Sequence, residues 1–279
     1  MAQVGIEITS RCNMACEMCS HPVMKREKAD MPLDRFVRIV HDIRTNGHEL
    51  RGLQVMGEPL LSKYYMDAIT HLHCNHVPVT NAFYTNAELL TPEMTDSLVS
   101  AGFVEVHKTC RKVWIGIDTM DPVQYARLRG GDFDKVVRNT EHFCKVMKGK
   151  LPGLAVQRMQ TKWNPDEPIK AFERFGVPVA TRRVGRHAYK DRDLCVVPFT
   201  TDRRSKCREH WGTLYIGQHG GATSCCIDAE FEHEIGNVDD MTINELLAAR
   251  KPQQKAFKEK DYSGLTLCQR CTGMEPAGL

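Results

Sequence analysis

The chain has 279 residues, of which 42% are apolar and 26% charged, enough to bury a sizeable core as one large domain or as one large and one small. Its 38 basic and 35 acidic side chains leave a formal net charge of only +3, too balanced to argue by itself for nucleic-acid binding, and no apolar run approaches the ~18 residues of a membrane span. The start, MAQVGIEIT, lacks the basic segment and long apolar core of a secretory signal, so a cytoplasmic protein with no membrane or nucleic-acid partner is expected.

From residue 4 to about 184, short apolar runs alternate with longer amphipathic ones, the pattern of strand–helix units around a parallel sheet. Strands are predicted at Val4–Thr9, Gly52–Met56, Val79–Thr85, Val113–Asp118, Leu154–Gln160 and Val177–Val184, with helices near 33–45, 63–75, 92–101, 122–129, 133–148 and 167–175. Thr91 before Pro92 opens a helix and Gly102 closes it. The stretch FVEVHKTCRKV, 103–113, lengthens the approach to the fourth strand by an extra turn or strand. Residues 1–184 thus form a first unit, 185–206 a connector rich in Arg, Lys and Asp, and 207–279 a small C-terminal module. In that module Leu214–Ile216 is a strand, His219–Gly221 a turn, and Thr242 with Glu245 a capping box opening a helix through Leu246 and Leu247. The basic cluster Arg182, Arg183 and Arg186 reads as a solvated connector or as a site for an anionic group.

The chain contains 12 cysteines, many for a compartment in which disulfides rarely persist, so metal binding or catalysis is the better explanation for them. Cys12, Cys16 and Cys19 lie in one short stretch, CNMACEMC, directly after the first strand. Thiolates bind zinc and iron tightly, and three of them on one centre leave a coordination position open. Cys207, Cys225, Cys268 and Cys271 supply four more thiolates, enough for a closed site, and Cys226 adjoins them. Taken alone, this second set suits zinc or an iron–sulfur cluster.

CNMACEMC after VGIEIT resembles the CxxxCxxC loop of the radical S-adenosylmethionine (SAM) superfamily. The resemblance implies a [4Fe–4S] cluster on Cys12, Cys16 and Cys19, with SAM as the ligand of the open iron. Met18 stands where the family usually has an aromatic residue. Further stretches fall at the expected strand ends. MGEPLL resembles the GGEP motif that binds the SAM ammonium, giving Gly57, Glu58 and Pro59; YTNA resembles the segment after the third strand, giving Thr85 and Asn86, with Ala87 in place of Gly. GIDTMD resembles the SxD segment of the fourth strand, with Gly116 for Ser and Asp118 retained, and VQRMQTKWN resembles the fifth, with Gln157 as a cofactor contact. The implied fold is α/β: a partial (β/α)6 barrel with cofactors at the C-terminal ends of the strands.

The segment CREHWGTLYIGQHGGATSCCID followed by LCQRC resembles the twitch or SPASM extension of the same superfamily, including the spacing from Gly220 to Cys225. Only residues 272–279 follow Cys271, which leaves room for one auxiliary [4Fe–4S] cluster, on Cys207, Cys225, Cys268 and Cys271. The shorter twitch arrangement of aminocyclitol dehydrogenases is the nearest likeness.

The resemblance implies an enzyme that cleaves SAM reductively, with a flavodoxin or ferredoxin as electron donor, and takes hydrogen from an unactivated carbon. Oxidation results if the auxiliary cluster accepts the second electron, and epimerisation if Cys226 returns a hydrogen atom. Crosslinking of a peptide is the third outcome. A chain that starts at the first strand favours a small polar substrate, with a peptide as the alternative. Arg182, Arg183, Arg186, His187 and Tyr189, where the sixth strand should end, are candidates for substrate recognition, and His21 for a contact near the cluster. The contrasting class is a non-catalytic zinc protein or electron carrier.

Overall fold

A computed structural model describes residues 1–164, 166–183, 212–269 and 271. The connector at 185–206, with Arg186, His187 and Tyr189, and the ligand candidate Cys207 lie outside the described residues.

Four parallel strands form one sheet in the order β3 (Ala82–Thr85), β4 (Lys112–Gly116), β5 (Leu154–Gln160) and β6 (Val179–Arg183). A second sheet runs β2 (Glu49–Gly52), β1 (Gln3–Ile6), β7 (Thr213–Ile216), β8 (Gly221–Thr223) and β9 (Gly236–Asn237). Here β1 is parallel to both β2 and β7, whereas β8 and β9 join in antiparallel fashion. The two sheets meet just before β3, where Thr80 N donates to Leu50 O at 2.9 Å and Asn81 N to Arg51 O at 3.0 Å. The result is a parallel partial barrel whose first strand is flanked on one side by a strand from the C-terminal region.

Helices α1 (Leu33–Thr45), α2 (Tyr65–Cys74), α3 (Pro92–Ser100), α4 (Phe103–His107), α5 (Pro122–Leu128) and α6 (Phe133–Met147) lie between the strands in sequence. Helix α1 buries Phe36, Ile39, Val40 and Ile43, spaced as one apolar stripe, and α6 buries Val136, Val137, Phe143 and Met147. These stripes join strand residues such as Val4, Ile6, Val113, Ile115 and Val156 in the main core. Because strand side chains alternate, the opposite face of β3, β4, β5 and β6 collects Tyr84, Trp114, Ala155 and Ala180 in a separate cluster. The registers Tyr84–Trp114–Ala155 and Gly116–Gln157–Ala180 stack two successive layers on that face.

Several boundaries differ from the sequence reading. The second strand ends at Gly52, where that reading begins it: a side chain there would strike the carbonyl of Ala82 on β3, and residues 53–56 leave the ladder. The stretch after Gly102, expected as an extra turn or strand, is the short helix α4, with Phe103, Val106 and His107 buried. Residues Ile169–Phe175 form a 3-10 helix. The Thr242–Glu245 capping box is present and opens the helix Ile243–Ala249. Among the described residues, no helix is long and apolar enough to cross a membrane.

Candidate active site

The cysteine loop leaves the C-terminal end of β1 and returns beside it: Ser10 N donates to Ala29 O, Met31 N to Ile8 O, and Thr9 bridges Asp30. Arg11 pairs with Asp30 at 2.7 Å and donates to Leu61 O at 2.8 Å, which fastens the loop to the segment after β2. Inside the loop, Cys19 N donates to Cys16 O at 3.1 Å, and the far side is held by Glu17 N donating to Leu128 O at 2.8 Å. Cys12, Cys16 and Cys19 are in no disulfide and are all half-buried. Burial pushes the Cys12 thiol up to about 12, with Glu58, Cys16 and Cys19 adding to the rise. Burial likewise takes Cys16 to about 11 against the opposing pull of Arg129. Burial above all, with smaller contributions from neighbouring groups, disfavours the thiolates of Cys12 and Cys16; bound iron would supply the positive charge that removes that obstacle, so the donor set fits a cluster. Among the described residues, no three His, Cys, Asp or Glu side chains gather closely enough to hold one ion. Three thiolates on a [4Fe–4S] cluster each bind a different iron and need no such convergence.

Gly57 has φ +81, and a Cβ there would lie 2.6 Å from Arg11 O and 2.7 Å from Thr9 O, so the loop after β2 is pressed against the root of the cysteine loop. Glu58 N donates to Arg11 O at 2.8 Å. The Glu58 carboxylate is buried and accepts from Thr85 Oγ1 at 2.9 Å, Leu60 N at 3.2 Å and Asn86 N at 2.8 Å. It thus joins the ends of β2 and β3. Burial lifts its pKa to about 7 despite those donors. Pro59 begins the short 3-10 turn Pro59–Leu61 that Glu58 caps. Asn86 reaches back to the cysteine loop, donating to Asn13 Oδ1 at 2.9 Å, with its amide nitrogen 4.0 Å from Cys12 Sγ. Ala87, next to it, sits at φ +61.

Asp118 is fully buried and also has φ in the left-handed region, +70. Its Oδ2 accepts from Arg129 Nε at 2.7 Å and its Oδ1 from Met159 N at 2.8 Å, while its carbonyl accepts from Asn164 Nδ2. The carboxylate expected to face a cofactor therefore ties the ends of β4 and β5 to α5. Burial opposes the charge of Arg129, but Asp118 and Cys16 hold its pKa above the ordinary value. Gly116 explains itself here: any side chain at that position would occupy the place of the Arg129 guanidinium. Gln157 is half-buried and donates to Met159 Sδ at 3.0 Å. His21 is buried with Nε2 2.9 Å from Ser10 O, and its backbone N is 3.4 Å from Cys19 Sγ.

In the C-terminal region, Cys225, Ile227 and Leu267 cluster with Cys226 and Cys271 packed against them. Cys271 N donates to Cys268 O at 3.3 Å, and Cys268 itself packs with Phe257 and Leu265. The segment after Cys226 is bound to the residues after the cysteine loop: the Glu230 carboxylate accepts from Lys25 N and Arg26 N, and Arg26 donates to Ala229 O and lies 5.0 Å from the centre of Phe231.

Four residues of this assembly carry no motif: Glu7, Arg26, Tyr125 and Arg129. A charged residue inside the apolar strand VGIEIT and a glycine in place of Ser at 116 are the sequence signals that point to Glu7 and Arg129. Nothing local in the sequence marks Arg26 or Tyr125.

A parallel partial barrel with a three-cysteine loop at the end of β1 and a further cysteine group in its C-terminal region defines a protein built around thiolate-bound cofactors. The family model of the radical SAM superfamily matches residues 6–172, and that of the iron–sulfur cluster-binding domain SPASM matches residues 207–272. The chain belongs to the radical SAM superfamily and carries a C-terminal SPASM domain; a [4Fe–4S] cluster and SAM come with the first, and auxiliary iron–sulfur cluster binding with the second. It is 34% identical over 104 residues to the tungsten-containing aldehyde ferredoxin oxidoreductase cofactor-modifying protein of Pyrococcus furiosus, covering 37% of this chain and 28% of that protein. It is 27% identical over 187 residues to mycofactocin maturase MftC of Mycolicibacterium smegmatis, covering 64% of this chain and 43% of the maturase. The chain thus spans less than half the length of either relative. The crystal structure of BtrN with AdoMet and 2-DOIA superposes with a TM-score of 0.66 at 16% identity, covering 100% of this chain and 95% of BtrN, a likeness of fold.

Proposed function

We propose that this chain is a radical SAM dehydrogenase of a small polar substrate. In this reading Cys12, Cys16 and Cys19 hold the cluster that binds SAM, while Cys207, Cys225, Cys268 and Cys271 hold one auxiliary [4Fe–4S] cluster. When bound, these groups supply reductive cleavage of SAM to a radical that takes hydrogen from an unactivated carbon, and an acceptor for the electron that the substrate then gives up.

The observation that carries the reading is the direct attachment of the auxiliary cysteine region to the first cysteine loop. Strand β7 pairs with β1, and Glu230 accepts hydrogen bonds from the backbone of Lys25 and Arg26. A one-electron acceptor is useful for dehydrogenation only if it stays in register with the site of hydrogen removal. Gly57 keeps the backbone after β2 against the cysteine loop, Glu58 locks that backbone to Thr85 and Asn86, and Asn86 holds Asn13. These bonds orient the loop and fix where SAM would be presented. Gln157, in the layer of Gly116 and Ala180, faces the barrel side on which a substrate would lie. The fold likeness to BtrN, crystallised with AdoMet and the small molecule 2-DOIA, supports a small-molecule substrate. A flavodoxin or ferredoxin is the expected reductant.

A second reading, epimerisation, has one observation in its favour. Cys226 is outside the proposed four-thiol set, and it is close enough to Tyr84 on β3 to act on that phenol's ionisation, alongside burial and Arg182. In this reading the Cys226 thiol is the group that would return a hydrogen atom.

The test is anaerobic reconstitution followed by SAM, dithionite and a panel of polyols and aminocyclitols in heavy water. Formation of 5′-deoxyadenosine with a product lighter by two hydrogens supports dehydrogenation, and an isomeric product carrying solvent deuterium supports epimerisation. Absence of 5′-deoxyadenosine from iron-loaded protein with SAM and reductant overturns the reading.

A further inference from the structure

Helix α5 is the element on which the cysteine loop leans. Its last residue, Leu128, accepts the hydrogen bond from Glu17 N, and one turn apart on the same helix stand Tyr125 and, just beyond its end, Arg129. A Cβ at Gly131 would lie 2.5 Å from the methyl of Met14, inside the cysteine loop, and 3.5 Å from the Tyr125 hydroxyl. Loop and phenol therefore meet over the same glycine. The Tyr125 ring is fully buried and set edge-on to Phe133, with centroids 5.4 Å apart, so its direction is fixed.

The Tyr125 hydroxyl is buried and, among the described residues, has no hydrogen-bond partner. Leaving such a group unsatisfied is costly, so it calls for an acceptor that arrives later. The ionisable groups around it are Arg129, Asp118, Glu88 and Cys16, the last in the loop between Met14, which meets the phenol over Gly131, and Glu17, whose N donates to Leu128 O. Arg129 is a donor; the Asp118 oxygens are taken by Arg129 and Met159 N, and Glu88 Oε2 accepts from Asn13. Cys16 is the member of this set that turns from a thiol into a thiolate acceptor when iron binds.

We infer that Tyr125 is a positioning residue for the cluster, its hydroxyl donating to the sulfur at Cys16 once that sulfur is iron-bound. This rests on Cys16 being a ligand, as proposed above. A hydrogen bond to a cluster sulfur draws charge from the iron and favours the reduced state, so it raises the reduction potential. Arg129, beside the same cysteine, acts in the same direction. The pair makes the cluster easier to reduce by the protein's electron donor.

The test compares wild type with Tyr125→Phe, which keeps the ring against Phe133 and removes only the oxygen. Both are reconstituted, iron and sulfide are counted, and the cluster signal that changes on adding SAM is followed by electron paramagnetic resonance in a redox titration. Equal iron content with a midpoint lowered by an order of tenfold in the reduction equilibrium, about 59 mV for one electron, supports the inference. An unchanged or raised midpoint at equal iron content overturns it, whatever happens to thermal stability. If Cys16→Ala retains the SAM-responsive signal, the assignment of Cys16 as a ligand fails first, and the role of Tyr125 falls with it.

Discussion

Glu7 Oε1 lies 2.6 Å from Arg26 Nη2, with the carboxylate fully buried and the guanidinium nearly so. The same carboxylate accepts from Met56 N at 3.0 Å and Gln218 N at 3.2 Å. One side chain just after β1 therefore gathers the segment after the cysteine loop, the turn after β2 and the turn after β7. Replacing Arg26 with Met leaves a buried carboxylate unpaired and should cost roughly 3–5 kcal/mol, read as a lower midpoint in urea unfolding. Adding Glu7→Gln to that variant should restore part of the loss. Equal stability of Arg26→Met and wild type would mean that the pair does not organise this junction.

Glu58 gives the chain a pH signature. Its pKa of about 7 lies above the ordinary 4.5 because burial disfavours the charge. The unfolded chain releases this proton near pH 4.5 and the folded one only near 7. The contribution is therefore fully present below 4.5 and is lost as pH rises through 7. The shift corresponds to about 3 kcal/mol. Unfolding of the iron-free protein at pH 5 and at pH 8 should show a steeper decline for wild type than for Glu58→Gln; parallel declines would contradict the assignment.

Gly57 and Ala87 make a matched pair of left-handed positions. Gly57→Ala adds a left-handed strain of about 1–2 kcal/mol and drives a methyl into Arg11 O and Thr9 O, so a loss of about 2–4 kcal/mol is expected. Ala87→Gly relieves similar strain but removes a buried methyl worth about 0.8 kcal/mol, so it should fall within about 1 kcal/mol of wild type. Differential scanning calorimetry of the two variants separates them.

The ion pair of Arg129 with Asp118 should behave as a unit. Arg129→Met and Asp118→Asn each break a buried pair, at roughly 3–5 kcal/mol apiece. The double variant should lose less than their sum, with a coupling of about 1–3 kcal/mol in a double-mutant cycle. Additivity would show that the two residues act separately.

Iron counting distinguishes the two cysteine groups. Under the proposed ligand sets, wild type takes up about eight irons, and Cys12→Ala with Cys16→Ala and Cys19→Ala retains about four while losing 5′-deoxyadenosine formation. Cys268→Ala with Cys271→Ala should lose the other four. Persistence of SAM cleavage in the first variant would remove Cys12, Cys16 and Cys19 from the chemistry.

The sequence reading succeeded where local spacing carries the information. The cysteine loop is marked by short intervals, the capping box at Thr242 by a three-residue interval, and β5, Leu154–Gln160, by an apolar run bounded by glycine and proline signals. It failed where the deciding contact is distant in sequence. Strand β2 stops at Gly52 because Ala82 crosses there and because Met56 N is drawn to Glu7. FVEVH is rich in strand formers, yet it is helical because Phe103 and His107 pack on Phe83, and Phe103 also meets Phe143. The pairing of Asp118 with Arg129 likewise depends on a turn that no periodicity reveals. The orphaned Tyr125 hydroxyl is visible only when the helix and the cysteine loop are seen together.

Strand β1 is bordered by β2 and β7, and its register with β7 pairs Gln3 with Thr213. During synthesis the first strand must therefore wait for more than two hundred later residues before its second edge is covered. Until then it offers an open parallel edge to other chains, and so large a sequence separation makes closure slow. The cysteine loop hangs from that strand. A ribosome-stalled chain ending before residue 213 should bind hydrophobic dye and aggregate readily, and one long enough to expose β7 should do so less, so maturation of the first cysteine site belongs after β7 is made.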